Sequence, residues 1–218
     1  MHRQPLLAML ERYLQRYPRE ADVVARIGRL VREHADCFHR SCRPGHVTAS
    51  AWVTTPARDR FLLVHHRKLD RWLQPGGHMD GESDVAAAAF REVREETGLA
   101  ALRVVDDQTP LDLDVHVIPA RRDAAGAILE DAHEHHDVRL LVIADGDLTP
   151  AASAESHAVR WFNAAELARI TDEESVLRMW RKCCGGERGQ EDWGTVGLED
   201  YRNRSSSAVL WSHSPTVP

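Results

Sequence analysis

Within the stretch GGHMDGESDVAAAAFREVREETGL, residues 76–99, three carboxylates stand almost side by side: Glu92, Glu95 and Glu96. Ala86, Ala89, Phe90, Val93 and Thr97 recur at helical spacing, so the segment reads as an amphipathic helix. Ser83 is its expected N-cap and Gly98 its C′ residue. On a 3.6-residue period Glu92 and Glu96 lie one turn apart, with Glu95 beside them. Like charges at that spacing oppose each other by about 0.2–0.5 kcal/mol per pair, so something must neutralise them. Arg91, four residues before Glu95, and Arg94 could do so and leave a solvated helix face. A hard divalent cation could also do so, since carboxylates are the ligands that Mg²⁺ prefers. The periodicity leaves both readings open.

The elements that must position this helix follow from the rest of the pattern. Residues 4–36 predict two helices: Leu6, Leu7, Leu10, Tyr13, Leu14 and Tyr17, closed by Pro18, then Val23, Val24, Ile27, Leu30, Val31 and His34. Pro44-Gly45 marks a turn, after which HVTASAWVTT and RFLLVHH predict a β-hairpin. Further strands are expected at 102–105, 111–118, 138–144 and 159–162. Asn163 with Glu166, and Thr171 with Glu174, have capping-box spacing and predict two more helices. Strands mixed with and then followed by helices indicate an α/β sandwich rather than a doubly wound sheet. The tail from Gly185 lacks a sustained period and is expected to be poorly ordered, with Trp193 and Trp211 as weak docking signals.

The chain has 218 residues, with 28 Lys plus Arg against 34 Asp plus Glu. A net charge of −6 does not favour a broad nucleic-acid surface. No apolar run approaches a secretory core or a membrane span, so the cytosol is the expected location. Cys37, Cys42, Cys183 and Cys184 are too few for a disulfide framework. His34, Cys37, His39, Cys42 and His46 gather in HADCFHRSCRPGH, but structural zinc usually shows Cys-x2-Cys pairs. Buried or incidental cysteines are therefore the preferred reading. HEHHD, residues 133–137, is a second candidate metal or phosphate site, because alternation puts His133, His135 and Asp137 on one face.

Gly77 to Leu99 resembles the box of the Nudix hydrolase superfamily, Gly-x5-Glu-x7-Arg-Glu-U-x-Glu-Glu-x-Gly-U with U aliphatic. Gly77, Arg91, Glu92, Val93, Glu95, Glu96, Gly98 and Leu99 fall in register. The first glutamate slot holds Ser83, with Glu82 one residue early. In the family that glutamate braces the loop and the helix start. The likeness extends over roughly residues 45–182, including WLQPGGH and ESHAVRWFNAAELARI, and leaves out the N-terminal helical pair and the tail. It divides the chain into a helical extension (1–43), the Nudix domain (44–184) and a tail (185–218). It implies an α/β/α sandwich around a mixed sheet, which agrees with the element pattern.

It also implies a Mg²⁺-dependent hydrolase, with Mn²⁺ as the alternative ion, acting on a nucleotide or a nucleoside diphosphate derivative. Glu92, Glu96 and Glu95 would ligate the metal together with a backbone carbonyl at Gly76 or Gly77, and Arg91 would orient Glu95. Glu95, Glu134 and Glu155 are candidate general bases, Glu155 being favoured. Phosphate donors are expected among His65, His66, Arg67, Lys68, His78 and Arg139. Expected partners are the small-molecule substrate and, as an open alternative, a second copy of the chain. Two rivals share the fold. A non-catalytic nucleotide sensor would commonly lose box glutamates, which are kept here. An isoprenoid-diphosphate isomerase would need a cysteine, and residues 43–182 contain none.

Overall fold

A computed structural model describes residues 2–184, so the reading of the tail lies outside the described residues. In chain order the elements are α1 (Gln4–Arg16), a 3₁₀ turn (Pro18–Glu20), α2 (Ala21–Glu33), β1 (Gly45–Thr54), β2 (Phe61–His66), β3 (Arg71–Leu73) and β4 (Gly76–His78). There follow α3 (Val85–Thr97), β5 (Leu102–Val104), β6 (Asp112–Ile118), β7 (Arg121–Arg122), β8 (Ile128–Glu130), β9 (His133–Ala144), β10 (Ser156–Phe162), α4 (Ala164–Ile170) and α5 (Glu174–Cys184).

The sheet is mixed. Its order is β10-β2-β1-β9-β5, with β3 on β2, β4 on β1 and β6 on β9. β1 and β9 pair in parallel over ten positions, while β2, β4, β5 and β6 join antiparallel. Every residue of β1 is buried, as its central place requires. Alternation sends its side chains to two cores. Val47, Ala49, Ala51 and Val53 meet residues of α1, α2 and α3, among them Leu6, Tyr13, Ile27, Val31, Ala89 and Val93. Trp52, with Phe61 and Leu63 of β2, meets Leu167 of α4 and Val176, Met179 and Trp180 of α5. Helices therefore cover both faces, as the sandwich reading expects, and the N-terminal pair shares the core of α3.

The predicted hairpin forms as β1–β2, and Asn163 with Glu166 makes a complete capping box. Three expectations need correction. Asp84, not Ser83, caps α3: its carboxylate accepts from the Ala86 and Ala87 amides at 2.9 and 3.1 Å. Thr171 and Glu174 make no capping box among the described hydrogen bonds; the Thr171 hydroxyl instead accepts from the Glu173 amide at 3.1 Å. The strand expected at 138 starts at His133, because β1 and β6 both extend the pairing through HEHHD.

The opposite face of β1 and β9 changes character along its length. Toward Trp52 it is apolar. Nearer the strand starts it carries His46, Thr48 and Ser50 beside His135, Asp137 and Arg139. Arg139 is 3% exposed. Its guanidinium donates to Asp137 at 2.8 Å and Asp112 at 3.1 Å, and pairs with Asp114 at 3.2 Å. Arg178 donates twice to Asp112, each at 2.8 Å, and Lys182 donates to Asp112 at 2.7 Å and to the Tyr13 hydroxyl at 2.6 Å. Three cations thus offset three aspartates, and the cluster ties α5 to the sheet and, through Tyr13, to α1. Asp112 and Asp114 are held below the ordinary carboxylate range; burial opposes this, but the bonds to Arg178 and His116 and the nearby cations outweigh it.

Candidate active site

The glutamate helix is fixed at both ends by local chemistry. Glu82 Oε1 accepts from the Ser83 and Asp84 amides at 2.7 and 2.9 Å, so it braces the helix entrance from one residue before the expected slot. Asp84 then satisfies the first free amides. At the far end Gly98 takes φ 72°, a left-handed conformation that glycine adopts without a Cβ penalty. Val85, Ala88, Ala89 and Val93 face the core. Alanines let the helix lie close to β1 and β4.

That closeness brings the glutamates onto the glycine pair. A Cβ on Gly77 would stand 2.6 Å from Glu92 Oε2, and one on Gly76 would stand 2.3 Å from Ser50 Oγ and 2.7 Å from Ser50 Cα. Only glycine fits at either position. The Gly76 amide donates to Glu96 Oε2 at 3.0 Å. Arg91 bridges the helix to β4: it donates to Glu92 Oε1 at 2.7 Å and to the His78 carbonyl at 2.6 Å. Its approach to Glu95 is looser, at 3.8 Å, so the residue that Arg91 orients is Glu92.

The electrostatics follow from geometry. Burial pushes the Glu96 carboxyl up to about 7 against the Gly76 bond, and the charges of Glu92, Glu155 and Glu95 add to the rise. Burial also raises Glu92, which Arg91 partly offsets. Two half-buried carboxylates one turn apart are thus left with one guanidinium. The Glu92 and Glu96 oxygens converge at the glycine pair, where the missing Cβ of Gly77 leaves room beside Glu92 and the Gly76 amide holds Glu96, and hard oxygen donors suit Mg²⁺. The residues fit the group.

The other sequence-predicted residues divide. Glu155 is exposed, and its charge acts on both Glu96 and His66, so the fold brings it to this end of the sheet. Its carbonyl accepts from the Arg67 amide at 3.0 Å. Arg67 also donates to the Ser156 carbonyl at 3.1 Å, and His66 Nδ1 accepts from the Lys68 and Leu69 amides at 3.2 and 3.3 Å. His65 stacks on Trp72 and pairs with Asp70. Lys68 is exposed.

Others are placed elsewhere. Arg139 is committed to buried aspartates, so it is no substrate donor. Glu134 lies between Arg26 at 2.8 Å and His136 at 3.1 Å, away from the box. His78 alternates with Gly77 and turns its ring to the other sheet face, toward His46 and His135, with centroids 5.1 and 5.2 Å away. Asp137 does not join His133 and His135 in a ligand set, because Thr48, Ser50 and Arg139 take its oxygens. The sequence groups His46 with Cys37 and Cys42, not with His135: that partner is far along the chain, and only the parallel β1–β9 register puts them together.

A family model described as the NUDIX domain matches residues 44–183. The chain belongs to the NUDIX domain family. It is a Nudix-type pyrophosphohydrolase that keeps Glu92, Glu95 and Glu96 of the box and carries Ser83 in the first glutamate slot. No curated protein matches the sequence. Among solved structures, the chain is similar to a C. elegans Ap4A hydrolase binary complex, at 20% identity and TM-score 0.47, covering 62% of this chain and 93% of that one. A NUDIX-family hydrolase from Clostridium perfringens has 20% identity and TM-score 0.49, covering 63% and 95%. A UDP-X diphosphatase has 15% identity and TM-score 0.47, covering 84% and 92%. No helix of the described residues is long and apolar enough to cross a membrane.

Proposed function

We infer that this Nudix enzyme uses Mg²⁺, replaceable by Mn²⁺, to hydrolyse a diphosphate linkage in a nucleotide or a nucleoside diphosphate derivative. The observation that carries the reading is the convergence of Glu92 and Glu96 on Gly76 and Gly77, where burial raises both carboxyls against only the Arg91 guanidinium at Glu92 and the Gly76 amide at Glu96. Glu92 and Glu96 would hold the ion, with Glu95 and the Gly76 carbonyl assisting; Gly77 serves by lacking a Cβ. When bound, the cation supplies neutralisation of phosphate oxygens and acidification of water.

The chain's own residues do the rest. Arg91 fixes the Glu92 rotamer from β4, so the ligand geometry is set before substrate arrives. Glu155, exposed near Glu96, takes the proton from the attacking water. As the water oxygen bonds to phosphorus, the bridging P–O bond breaks and the leaving phosphate carries off the electron pair. Lys68, exposed and next in sequence to Arg67, offers a phosphate contact, while Arg67 and His66 hold the β2 turn and the Glu155 backbone in place. The four cysteines are free thiols, which supports a reducing, cytosolic setting.

The test is a panel of nucleoside diphosphate derivatives and triphosphates incubated with Mg²⁺, Mn²⁺ or chelator, with phosphate-containing products separated and identified. Metal-dependent cleavage of at least one compound between two phosphorus atoms is expected. Turnover that survives chelation, or products cut outside the anhydride, would contradict the reading.

A further inference from the structure

On the sheet face opposite α3, five imidazoles meet. His46 of β1 lies opposite His135 of β9, His116 of β6 lies opposite His135 from the other side, and β4 sets His78 opposite Thr48. One ring nitrogen or the other from each of His46, His78 and His135 lies within 4.8 Å of the others. His133 stacks on His46 at 5.0 Å, and His116 flanks His135 at 5.5 Å.

The cluster is not explained by hydrogen bonding. His46 is 1% exposed, and neither of its ring nitrogens has a hydrogen-bond partner. Buried polar groups are ordinarily satisfied, so such a ring asks for a ligand. Its ring neighbours are imidazoles, which share its chemistry as electron-pair donors.

We propose that His46, His78 and His135 bind a borderline divalent transition metal of the zinc class, at a site separate from the carboxylates of α3. Imidazole nitrogen suits such ions, whereas Mg²⁺ selects oxygen. Zinc held tetrahedrally at about 2.0–2.1 Å from nitrogen sets its ligands about 3.3 Å apart, so modest side-chain rotations close the present spacing. Three protein ligands leave a coordination position for water or an added group. Access is open, since His78 and His135 are only partly buried. Outer partners steady the flanking rings: His116 Nδ1 lies 3.0 Å from Asp114, and His133 Nδ1 lies 2.9 Å from the Asp131 carbonyl. The inference does not depend on the hydrolase reading, because Gly77 faces Glu92 while the next residue, His78, faces away.

The full chain, stripped of metal, is titrated with Co²⁺ in excess Mg²⁺ and followed by visible absorption and calorimetry. One equivalent is expected, with bands of a nitrogen-ligated, four- or five-coordinate ion, displaced by Zn²⁺. His46→Gln and His78→Gln should each weaken binding at least about 100-fold. Glu92→Gln/Glu96→Gln and Cys42→Ser should bind as the parent does; the latter removes the other grouping, His34, Asp36 and Cys42. If His46→Gln loses its circular dichroism signature, His78→Gln, which is half-buried, decides alone. No Co²⁺ uptake by the parent protein, unchanged uptake by His78→Gln, or loss confined to the glutamate or Cys42 variants would overturn the proposal.

Discussion

Two acidic triads sit on opposite faces of one sheet, and they are solved in opposite ways. Asp112, Asp114 and Asp137 are matched by Arg139, Arg178 and Lys182, and Asp112 and Asp114 are held low. Glu92, Glu95 and Glu96 have Arg91 between them, and the two more buried carboxyls are pushed up. The number of acids is the same, so charge count alone does not separate them. What separates them is whether the fold supplies the counter-charge. A buried carboxylate that is already neutralised holds elements together; one left short of cations is reserved for something that arrives later.

The strongest way to break this contrast is Arg139→Ala, which removes the buried guanidinium shared by buried Asp112 and Asp137 and partly buried Asp114. We expect a loss of about 3–5 kcal/mol in urea unfolding. A loss under about 1 kcal/mol would mean that water already screens that cluster. Glu96→Gln should behave in the reverse manner: turnover should fall at least about 100-fold while the fold persists. Retention of activity within a few-fold would remove Glu96 from the metal site.

The pH dependence of the metal-free protein sharpens the contrast. Asp112 and Asp114 have depressed folded-state values, so their stabilisation is full above about 4 and lost as pH falls below that. Glu96 is raised from an ordinary 4.5 to about 7, so its contribution is full below about 4.5 and is lost as pH rises through about 7. Thermal melts without divalent ions should therefore decline on both sides of a maximum near pH 5. In Glu96→Gln the alkaline decline should shrink while the acid decline stays. An alkaline limb unchanged by that substitution would show that Glu96 is not the group responsible. The smallest effect is expected for Glu95→Gln. Its side chain is 62% exposed and its ion pair is long, so unfolding free energy should move by less than about 0.5 kcal/mol. A larger change would mean that the triad acts as one buried unit.

The same contrast explains what was legible in the sequence. The glutamate triad is local: its residues share one helix, so period and capping residues announce it within 24 letters. The correct helix start was shifted by one residue because Glu82 occupies the Ser83 and Asp84 amides and leaves Asp84 to cap. The aspartate cluster is non-local. Arg139 looked like a phosphate donor because nothing near it in sequence foretells Asp112 or α5. His78 reads as a phosphate donor beside the glycine pair, yet strand alternation sends its ring to the far face. His46 and His135 meet only through a parallel pairing whose register is set by the whole β1–β9 ladder. Short-range periodicity reads helices and hairpins well; it carries no information about which distant strand lies alongside.

The most direct test of the account is magnesium calorimetry on the intact chain beside its Glu92→Gln/Glu96→Gln variant, each with and without a hydrolysis-resistant nucleotide. The account predicts that the parent binds Mg²⁺ and that the variant does not, while both retain the same circular dichroism. Equal binding by the two proteins, or no heat from Mg²⁺ or Mn²⁺ with the parent under either condition, would contradict it.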